Sequence, residues 1–310
     1  MITMHGRAET QAETATPCRL CGGPSTFAFV AWDRNRGLGA GRFDYRRCTV
    51  CEAIFLADVP GDLGRYYAAY GYGSASEPEV PASVRREEAK LELVRRFAQG
   101  GSMVEIGPGP GMFTRVAQHA GFDITAIEMD PEYCRQLRDL LGVRAIQSDD
   151  PAGVLPTLPS SDVVVMWHAL EHLGDPWRVL EHCVENLRSG GVLAISTPNP
   201  QSLQFRLLGR YWVHLDAPRH LQLIPAGTLR SRLERLGMRH VLTTSSDPVG
   251  RDCNRMGWEY TLRLHPARHG ATIASMGGSW LIARALLAVE HRGRRGSTYT
   301  ALFLRSPMER

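Results

Sequence analysis

The sequence lacks a lysine-rich tail, and its N-terminus lacks a long apolar run. Residues 1–16 are polar and have no hydrophobic segment of the kind that a secretory signal needs, so we expect a cytoplasmic protein. The net charge of +4 at pH 7 is mild, and we expect no nucleic-acid partner. A length of 310 residues suffices for one sizeable α/β domain and an accessory module.

Four of the seven cysteines form two C-x-x-C pairs separated by 26 residues. These four thiolates can close a tetrahedron around a structural zinc ion, and redox dithiols or chance spacing are the alternatives. The predicted ligands are Cys18, Cys21, Cys48 and Cys51. Residues 27–30 and 42–46 lie between the pairs and resemble the two strands of a zinc ribbon. We expect a disordered tail over residues 1–17 and a zinc-binding module with a tyrosine-rich segment over residues 18–73.

The tyrosine-rich segment has four tyrosines between residues 66 and 72. One interpretation is an aromatic linker that packs the ribbon onto the next domain. The other is a lid whose phenol groups line an active site. In the second case Tyr67 is a candidate catalytic group, and Tyr66 and Tyr70 are candidates for substrate binding. A linker rich in serine, glutamate and proline follows at residues 74–81.

Apolar runs alternate with segments of helical periodicity between residues 81 and 200. This order predicts an α/β fold with a doubly wound parallel sheet, whose ligands bind at the carboxyl ends of the strands. The predicted strands are 103–106, 122–128, 143–147, 162–167 and 191–196. Later strands are expected at 238–244 and 298–304.

The first predicted strand leads into a glycine turn, with Gly107, Gly109 and Gly111 at alternate positions. Glycines let the backbone turn sharply and approach a ligand closely, and the helix that follows offers free N–H groups. Met112 stands where the dinucleotide fingerprint requires its last glycine, which disfavours a nicotinamide cofactor. A nicotinamide-dependent oxidoreductase remains the alternative.

Acidic residues adjoin the ends of three predicted strands. Glu128 closes the second strand, where a carboxylate can bind both hydroxyls of a ribose. Asp149 and Asp150 follow the third strand, where they can receive an adenine amino group or simply form a surface bend. Glu105 lies inside the first strand, and a buried carboxylate there is best explained by a cationic or amino-bearing ligand.

Together these motifs resemble the class I S-adenosylmethionine-dependent methyltransferases over roughly residues 81–245. The resemblance rests on Glu105 with the glycine turn that follows it, on Glu128 and Asp149, and on three further segments: the run from Trp167 to Pro176, residues 190–193 and residues 198–199. It implies a Rossmann-like sheet of seven strands in which the last strand is antiparallel and inserted between its neighbours. The core then comprises residues 81–245 and 297–310.

The resemblance also implies the cofactor contacts. Glu105 and the turn from Gly107 to Gly111, with Pro108, would hold the methionine part, while Glu128 and the adjoining Met129 would hold the ribose. The adenine would lie at Asp149 or Asp150. Trp167 and His168 would lie beside the sulfonium.

The implied activity is methyl transfer to an O, C or N atom of a small molecule. The four-cysteine module resembles that of bacterial small-molecule methyltransferases, including those acting on deoxysugars, which suggests a natural-product or glycan pathway. No Asn-Pro-Pro-Tyr follows the strand at 162–167, so amino-group methylation of bases is disfavoured. A scaffold or enzyme that binds the cofactor without methylating is a further alternative.

The segment from residue 211 to residue 221 is rich in aromatic and basic side chains. Loops at this place reach over the ligand crevice, and a similar stretch recurs in the resembling family. His220 is the first candidate for a general base, with His172, His168 and Tyr67 as rivals. The candidates for substrate binding are Tyr211, Trp212, His214 and Arg219, the last as an anchor for a carboxylate or phosphate. A purely structural role for these histidines is the alternative.

Residues 246–296 form an insertion between the last two predicted strands. Such an insertion suggests a cap or an oligomer interface, and a homodimer is one such interface. Residues 271–289 carry a single charge, at Arg284, and glycines interrupt the run. These features favour a buried or interface helix over membrane-surface contact, and disfavour a membrane span.

Overall fold

The computed structural model describes residues 16–67, 81–263, 281, 284–286, 288–290 and 295–307. Eleven strands are present in these residues. In chain order they are β1 (Ser25–Trp32), β2 (Arg42–Cys48), β3 (Ile54–Leu56), β4 (Gly101–Ile106), β5 (Phe122–Glu128), β6 (Arg144–Gln147), β7 (Ser161–Trp167), β8 (Leu187–Pro198), β9 (Gln222–Leu223), β10 (Met238–Thr244) and β11 (Thr298–Arg305).

Eight α-helices alternate with these strands in the described residues. They are α1 (Pro81–Arg95), α2 (Met112–His119), α3 (Pro131–Leu141), α4 (Pro151–Val154), α5 (Pro176–Asn186), α6 (Leu203–Leu208), α7 (Ala226–Arg235) and α8 (Pro248–Arg263). Helix α3 shows how the sequence sets these limits. Asp130 accepts hydrogen bonds from two backbone N–H groups of its first turn, and Gly142 adopts the left-handed conformation that ends it.

The main sheet has seven strands in the order β10-β11-β8-β7-β4-β5-β6. Its strands run parallel except β11, which pairs antiparallel with both β8 and β10. This confirms the predicted doubly wound fold with an inserted antiparallel strand. The strand order reverses between β4 and β7, so the loops that follow these two strands diverge and leave a crevice at their carboxyl ends.

A second, smaller sheet lies at the N-terminus, with the antiparallel order β1-β2-β3-β9. The sequence predicted a ribbon of two strands, and the structure extends it by two. Its fourth strand, β9, comes from the C-terminal half of the chain, and Ile54 of β3 pairs with Leu223 of β9. Cys18 and Phe55 also pack into the same hydrophobic cluster as Val164 of the main sheet. The module is therefore joined to the α/β core by a continuous interior.

Helix α8 forms the first part of the expected insertion. It packs on α6 and on the segment after it: the Gln204 amide of α6 donates to the Asn254 carbonyl at 2.7 Å, and His214 Nε2 lies 3.2 Å from the Cys253 carbonyl. Tyr70, the linker at 74–80 and most of the apolar segment 271–289 lie outside the described residues. Within the described part, none of the helices combines the length and the apolar character needed to cross a membrane.

Candidate active site

The glycine turn follows β4, and all three of its glycines have positive φ angles. A Cβ atom on Gly107 would lie 3.0 Å from the Ala169 side chain, so this position admits little more than glycine. At Gly109 a Cβ would meet nothing within 4 Å, because the turn here faces open space. Gly111 differs from both: a side chain there would collide with Leu137 and Leu141 of α3. Its role is to let α2 and α3 pack together.

Glu128 fixes the shape of this turn from the end of β5. One carboxylate oxygen accepts the Gly109 N–H at 2.9 Å, and the other accepts the Asp130 N–H at 2.9 Å. Burial raises the pKa of Glu128, and the backbone donors oppose that rise. Each carboxylate oxygen has a second lone pair, so Glu128 can still accept hydrogen bonds from a ligand.

Glu105 lies behind the turn and does not line the crevice. Its carboxyl group is buried and accepts a hydrogen bond from the Thr114 hydroxyl at 2.6 Å. Burial raises the pKa of Glu105 to about 7. The expected direct contact with a ligand is therefore replaced by a supporting position beneath the glycine turn.

A cavity of about 510 Å³ opens at the carboxyl ends of β4, β5 and β7. One wall, which we call the glycine wall, consists of Gly107, Pro108, Gly109, Glu128, Met129 and Asp149. A second group of lining residues, which we call the histidine wall, consists of Tyr67, Trp167, His168 and His172. Asp149 thus faces the cavity, whereas Asp150 pairs with Arg178 at 3.2 Å on the protein surface.

Trp167 and His168 end β7 at the junction of the two walls. The buried indole Nε1 of Trp167 and the buried Nε2 of His168 have no hydrogen-bond partner among the described residues. His168 has a φ of 58°, an uncommon conformation for a residue with a side chain, and its N–H donates to the Ser196 carbonyl at 2.8 Å. Strained residues of this kind concentrate at functional sites.

Behind the cavity surface lies a polar cluster. His172 Nδ1 is 3.0 Å from the Tyr67 hydroxyl and 3.1 Å from the Arg219 carbonyl oxygen. The rings of His172 and His220 meet edge to face at 4.7 Å. His220 Nε2 lies 4.0 Å from Glu171, but His220 itself does not line the cavity. The structure therefore places His172, and not His220, in the wall.

The protonation of this cluster follows from its burial. Burial and the neighbouring His220 lower the pKa of His172 to about 4, so its ring is neutral at pH 7. Burial also raises the pKa of Tyr67, which stays a hydroxyl. Burial alone would raise the pKa of Glu171, but the hydrogen bond from His168 and the charge of His168 lower the pKa of Glu171 to about 2. At neutral pH the cluster offers a carboxylate, a neutral imidazole and a hydrogen-bond donor.

Several residues expected to bind substrate have structural positions instead. The Arg219 guanidinium is fully buried, with Asp216 and Asp33 both at 2.7 Å, so it does not anchor a ligand. Tyr66 is buried in the N-terminal sheet, edge to face with Phe43. Arg219 and Tyr66 are therefore parts of the protein interior and not ligand-binding groups.

The other predicted substrate residues that the structure describes also lie away from the cavity. The Trp212 indole is buried and donates to Gln204 at 3.1 Å, and His214 contacts α8. Tyr211 is partly exposed, and its ring meets Trp32 at 5.8 Å. Sequence reasoning missed Glu171 and Asp33 as parts of the site. Glu171 carried a usable signal, because it lies three residues after His168 in the same run; Asp33 carried none.

The four cysteines lie together, as their spacing predicted. Their Sγ atoms lie within 4.8 Å of one another, with Cys18 and Cys51 at 3.7 Å and Cys21 and Cys48 at 3.4 Å. Four sulfurs at 2.3 Å from a zinc ion would be about 3.8 Å apart, so the cluster fits that ion. The Trp177 indole donates to the Leu20 carbonyl at 2.5 Å and ties the cluster to α5.

A glycine turn at a switch point, with an acidic residue closing the next strand, defines an α/β protein of the nucleotide-cofactor-binding class. Residues 82–243, more than half of the chain, match the family model described as a methyltransferase domain. The chain belongs to this methyltransferase family. That membership speaks against the nicotinamide-dependent oxidoreductase.

Two relatives carry the name ubiquinone biosynthesis O-methyltransferase. The Bordetella avium protein is 30% identical over 149 residues, which cover 45% of this chain and 59% of that protein. The Xanthomonas campestris protein (strain B100) is 28% identical over 178 residues, which cover 54% of this chain and 71% of that protein. The chain thus spans less than two thirds of the Bordetella relative.

Among solved structures, a Galdieria sulphuraria protein named as a sarcosine dimethylglycine methyltransferase superposes with a TM-score of 0.50. The match covers 78% of this chain and 97% of that chain at 15% sequence identity. At this identity the likeness shows the fold alone.

Proposed function

We propose that the protein transfers a methyl group from S-adenosylmethionine to a nucleophilic atom of a small molecule. One observation carries the proposal: the same cavity is lined by the acidic glycine wall and by the histidine wall. The first wall suits a nucleoside, and the second can manage the proton of an acceptor.

The glycine wall fits S-adenosylmethionine in size and in chemistry. Gly109 leaves room for a ligand against the backbone, and Glu128 has acceptor capacity for ribose hydroxyls. Asp149 would receive the adenine amino group, and the turn from Gly107 to Gly109 would hold the methionine part. The unpaired Trp167 Nε1 at the junction offers a further donor. When bound, the cofactor supplies an electrophilic methyl group on a sulfonium.

The histidine wall would orient the acceptor and take its proton. His172 is neutral and faces the cavity, so its ring can accept a proton from an acceptor hydroxyl. The Tyr67 oxygen lies 3.0 Å from His172 Nδ1, where it can accept the Nδ1 proton and help to set the direction of the ring. In-line transfer needs the acceptor atom within about 3–3.5 Å of the methyl carbon, so the cofactor and the acceptor must share this cavity. His220 lies behind the histidine wall and packs against His172.

An oxygen acceptor is the first class to test, because the two relatives are named as O-methyltransferases. Carbon and nitrogen acceptors from natural-product or glycan pathways remain the other candidates. We also propose that the four cysteines hold a structural zinc ion. Four protein ligands leave no open position on zinc, so this ion would stabilise the fold without taking part in chemistry.

Calorimetry with S-adenosylhomocysteine and with NAD tests the proposal. Glu128→Ala should weaken S-adenosylhomocysteine binding by about 10²-fold, since it removes charge-assisted hydrogen bonds. Asp123→Ala is the matched control, because this exposed acid lies on the same strand at the opposite end of the sheet. Binding of NAD by the wild-type protein, without binding of S-adenosylhomocysteine, would overturn the proposal.

A further inference from the structure

Besides the cysteines, one other cluster in the described residues brings three metal-ligating side chains together. Glu171, His172 and His220 each offer one ligand atom, and these atoms all lie within 4.8 Å of one another. Two imidazoles and one carboxylate form a donor set that suits divalent transition metals better than magnesium or calcium. This set shares no residue with the cysteine cluster.

The separations in the cluster are close to those that a metal ion requires. Ligand atoms at about 2.0–2.1 Å from zinc, arranged as a tetrahedron, lie about 3.3 Å apart. His220 Nε2 and Glu171 Oε1 are 4.0 Å apart, too far for a hydrogen bond and about 0.7 Å more than that spacing. The other separations are at most 4.8 Å, so the ligand atoms would move together by up to about 1.5 Å to bind one ion.

The side chains are already held in the way that metal ligands usually are. His220 Nδ1 lies 2.8 Å from the His214 carbonyl oxygen, and His172 Nδ1 lies 3.1 Å from the Arg219 carbonyl oxygen. A proton donated from Nδ1 to a carbonyl leaves the lone pair on Nε2 of each ring. The second oxygen of Glu171 accepts the Thr197 hydroxyl at 2.9 Å. Outer contacts thus fix all three groups.

We propose that Glu171, His172 and His220 form a site for a divalent transition-metal ion. Glu171 and His220 are buried, while His172 is half-buried and lines the cavity. Three protein ligands leave at least one coordination position open, which is the arrangement of catalytic rather than structural sites. Because His172 lines the cavity, an ion at this site would lie next to it, within reach of an oxygen-bearing ligand.

A consequence follows for the substrate, and it rests on the proposed function. A metal ion lowers the pKa of a hydroxyl that it binds, so the acceptor would lose its proton without a histidine base. An acceptor with two adjacent oxygens, such as a vicinal diol or a catechol, can hold the ion through both. A metal-bound His172 has no lone pair left to accept a proton. Proton removal by a histidine base and proton loss from a metal-bound hydroxyl are therefore distinct routes.

Metal titration tests the site directly, without cofactor or acceptor. The full-length protein, with zinc already in the cysteine cluster, is titrated with Co²⁺ and followed by calorimetry and visible absorption. The expected result is one further saturable equivalent that shows ligand-field bands without thiolate charge-transfer bands. If the wild-type protein binds no such equivalent, the proposal is overturned, whether or not S-adenosylhomocysteine binds.

Variants then assign the ligands. His172→Asn and His220→Asn should each weaken Co²⁺ binding by more than about tenfold, and Tyr67→Phe, an outer contact, by about tenfold. His182→Asn is the control, because His182 forms a pair with Glu185 at the surface, outside the cluster. Unchanged Co²⁺ affinity in both ligand variants overturns the assignment. If a variant fails to fold, the Co²⁺ titration of the wild-type protein alone decides whether the site exists.

Discussion

The two walls of the cavity are built in different ways. The glycine wall comes from neighbouring turns of one βαβαβ run, because its main residues follow β4, β5 and β6 in direct succession. The histidine wall is assembled from distant segments, with Tyr67 before α1 and His172 after β7, and His220, before β9, supports His172 from behind. The first wall therefore depends on local backbone geometry, and the second on long-range packing.

A buried ion network holds the histidine wall in place. Arg219 bridges Asp216 on its own loop and Asp33 in the N-terminal sheet, while its carbonyl oxygen contacts His172. The N-terminal module thus supports the histidine wall and has no comparable contact with the glycine turn in the described part of the chain. Damage to the module should weaken acceptor chemistry before it weakens cofactor binding.

The largest expected effect comes from the cysteine cluster. Cys48→Ser should lower the zinc content and reduce the free energy of unfolding by more than about 4 kcal/mol, because metal binding is coupled to folding. Elemental analysis and thermal unfolding measure the two quantities together. Cys134→Ala, which removes a buried thiol outside the cluster, should keep its zinc. Full stability of Cys48→Ser without metal would remove the structural role.

His220→Ala separates the two walls. Turnover should fall by about 10²-fold, because the His220 ring packs against His172 and positions it to take the proton of the acceptor. Affinity for S-adenosylhomocysteine should stay within a few-fold, since His220 lies outside the glycine wall. The measurements are steady-state kinetics and calorimetry on the same preparation. Unchanged turnover on the true substrate would exclude His220 from the mechanism.

Glu105 predicts a pH dependence that belongs to the glycine wall. Its pKa is raised from the ordinary 4.5 to about 7 in the fold, so ionisation of Glu105 destabilises the folded protein. This loss begins as the pH rises above 4.5 and is complete above 7. Over that interval it amounts to about 3 kcal/mol. In Glu105→Gln the loss should disappear, as measured by denaturant unfolding at pH 4 and pH 8. An identical pH profile in the two proteins would contradict the buried position.

The smallest expected effect is at Asp33. Asp33→Asn keeps the Asp216 contact of Arg219, so the free energy of unfolding should fall by only about 2 kcal/mol. Turnover should fall while S-adenosylhomocysteine affinity does not change, because the histidine wall alone depends on Asp33. Asp58→Asn, an exposed acid near the N-terminal sheet, is the control. Equal losses of turnover and affinity would show that the walls are not independent.

The same contrast explains what could be predicted from the sequence. The strands Phe122–Glu128 and Met238–Thr244 have the predicted bounds, because a local pattern of apolar residues sets them. The insertion of the last strand, antiparallel, between its neighbours followed from the resemblance. The predicted glycine turn and Glu128 also face a common cavity, since consecutive strands end at one edge of the sheet.

The histidine wall could not be predicted to the same extent. Arg219 and Tyr66 have the residue types of ligand-binding groups, but long-range packing buries both. Strand β9 has two residues, too few for any periodicity, although it pairs with β3 and so links the C-terminal half of the chain to the N-terminal sheet. The spacing of Glu171 from His168 could be seen in the sequence, but its contacts with Thr197 and His220 are set by the tertiary fold.

A crystal structure with S-adenosylhomocysteine tests the central claim most directly. The account predicts the ribose at the Glu128 carboxylate, the adenine beside Asp149, and the sulfur directed toward His168 and His172. Density for the ligand elsewhere on the protein, or a ribose that does not contact Glu128, would contradict it.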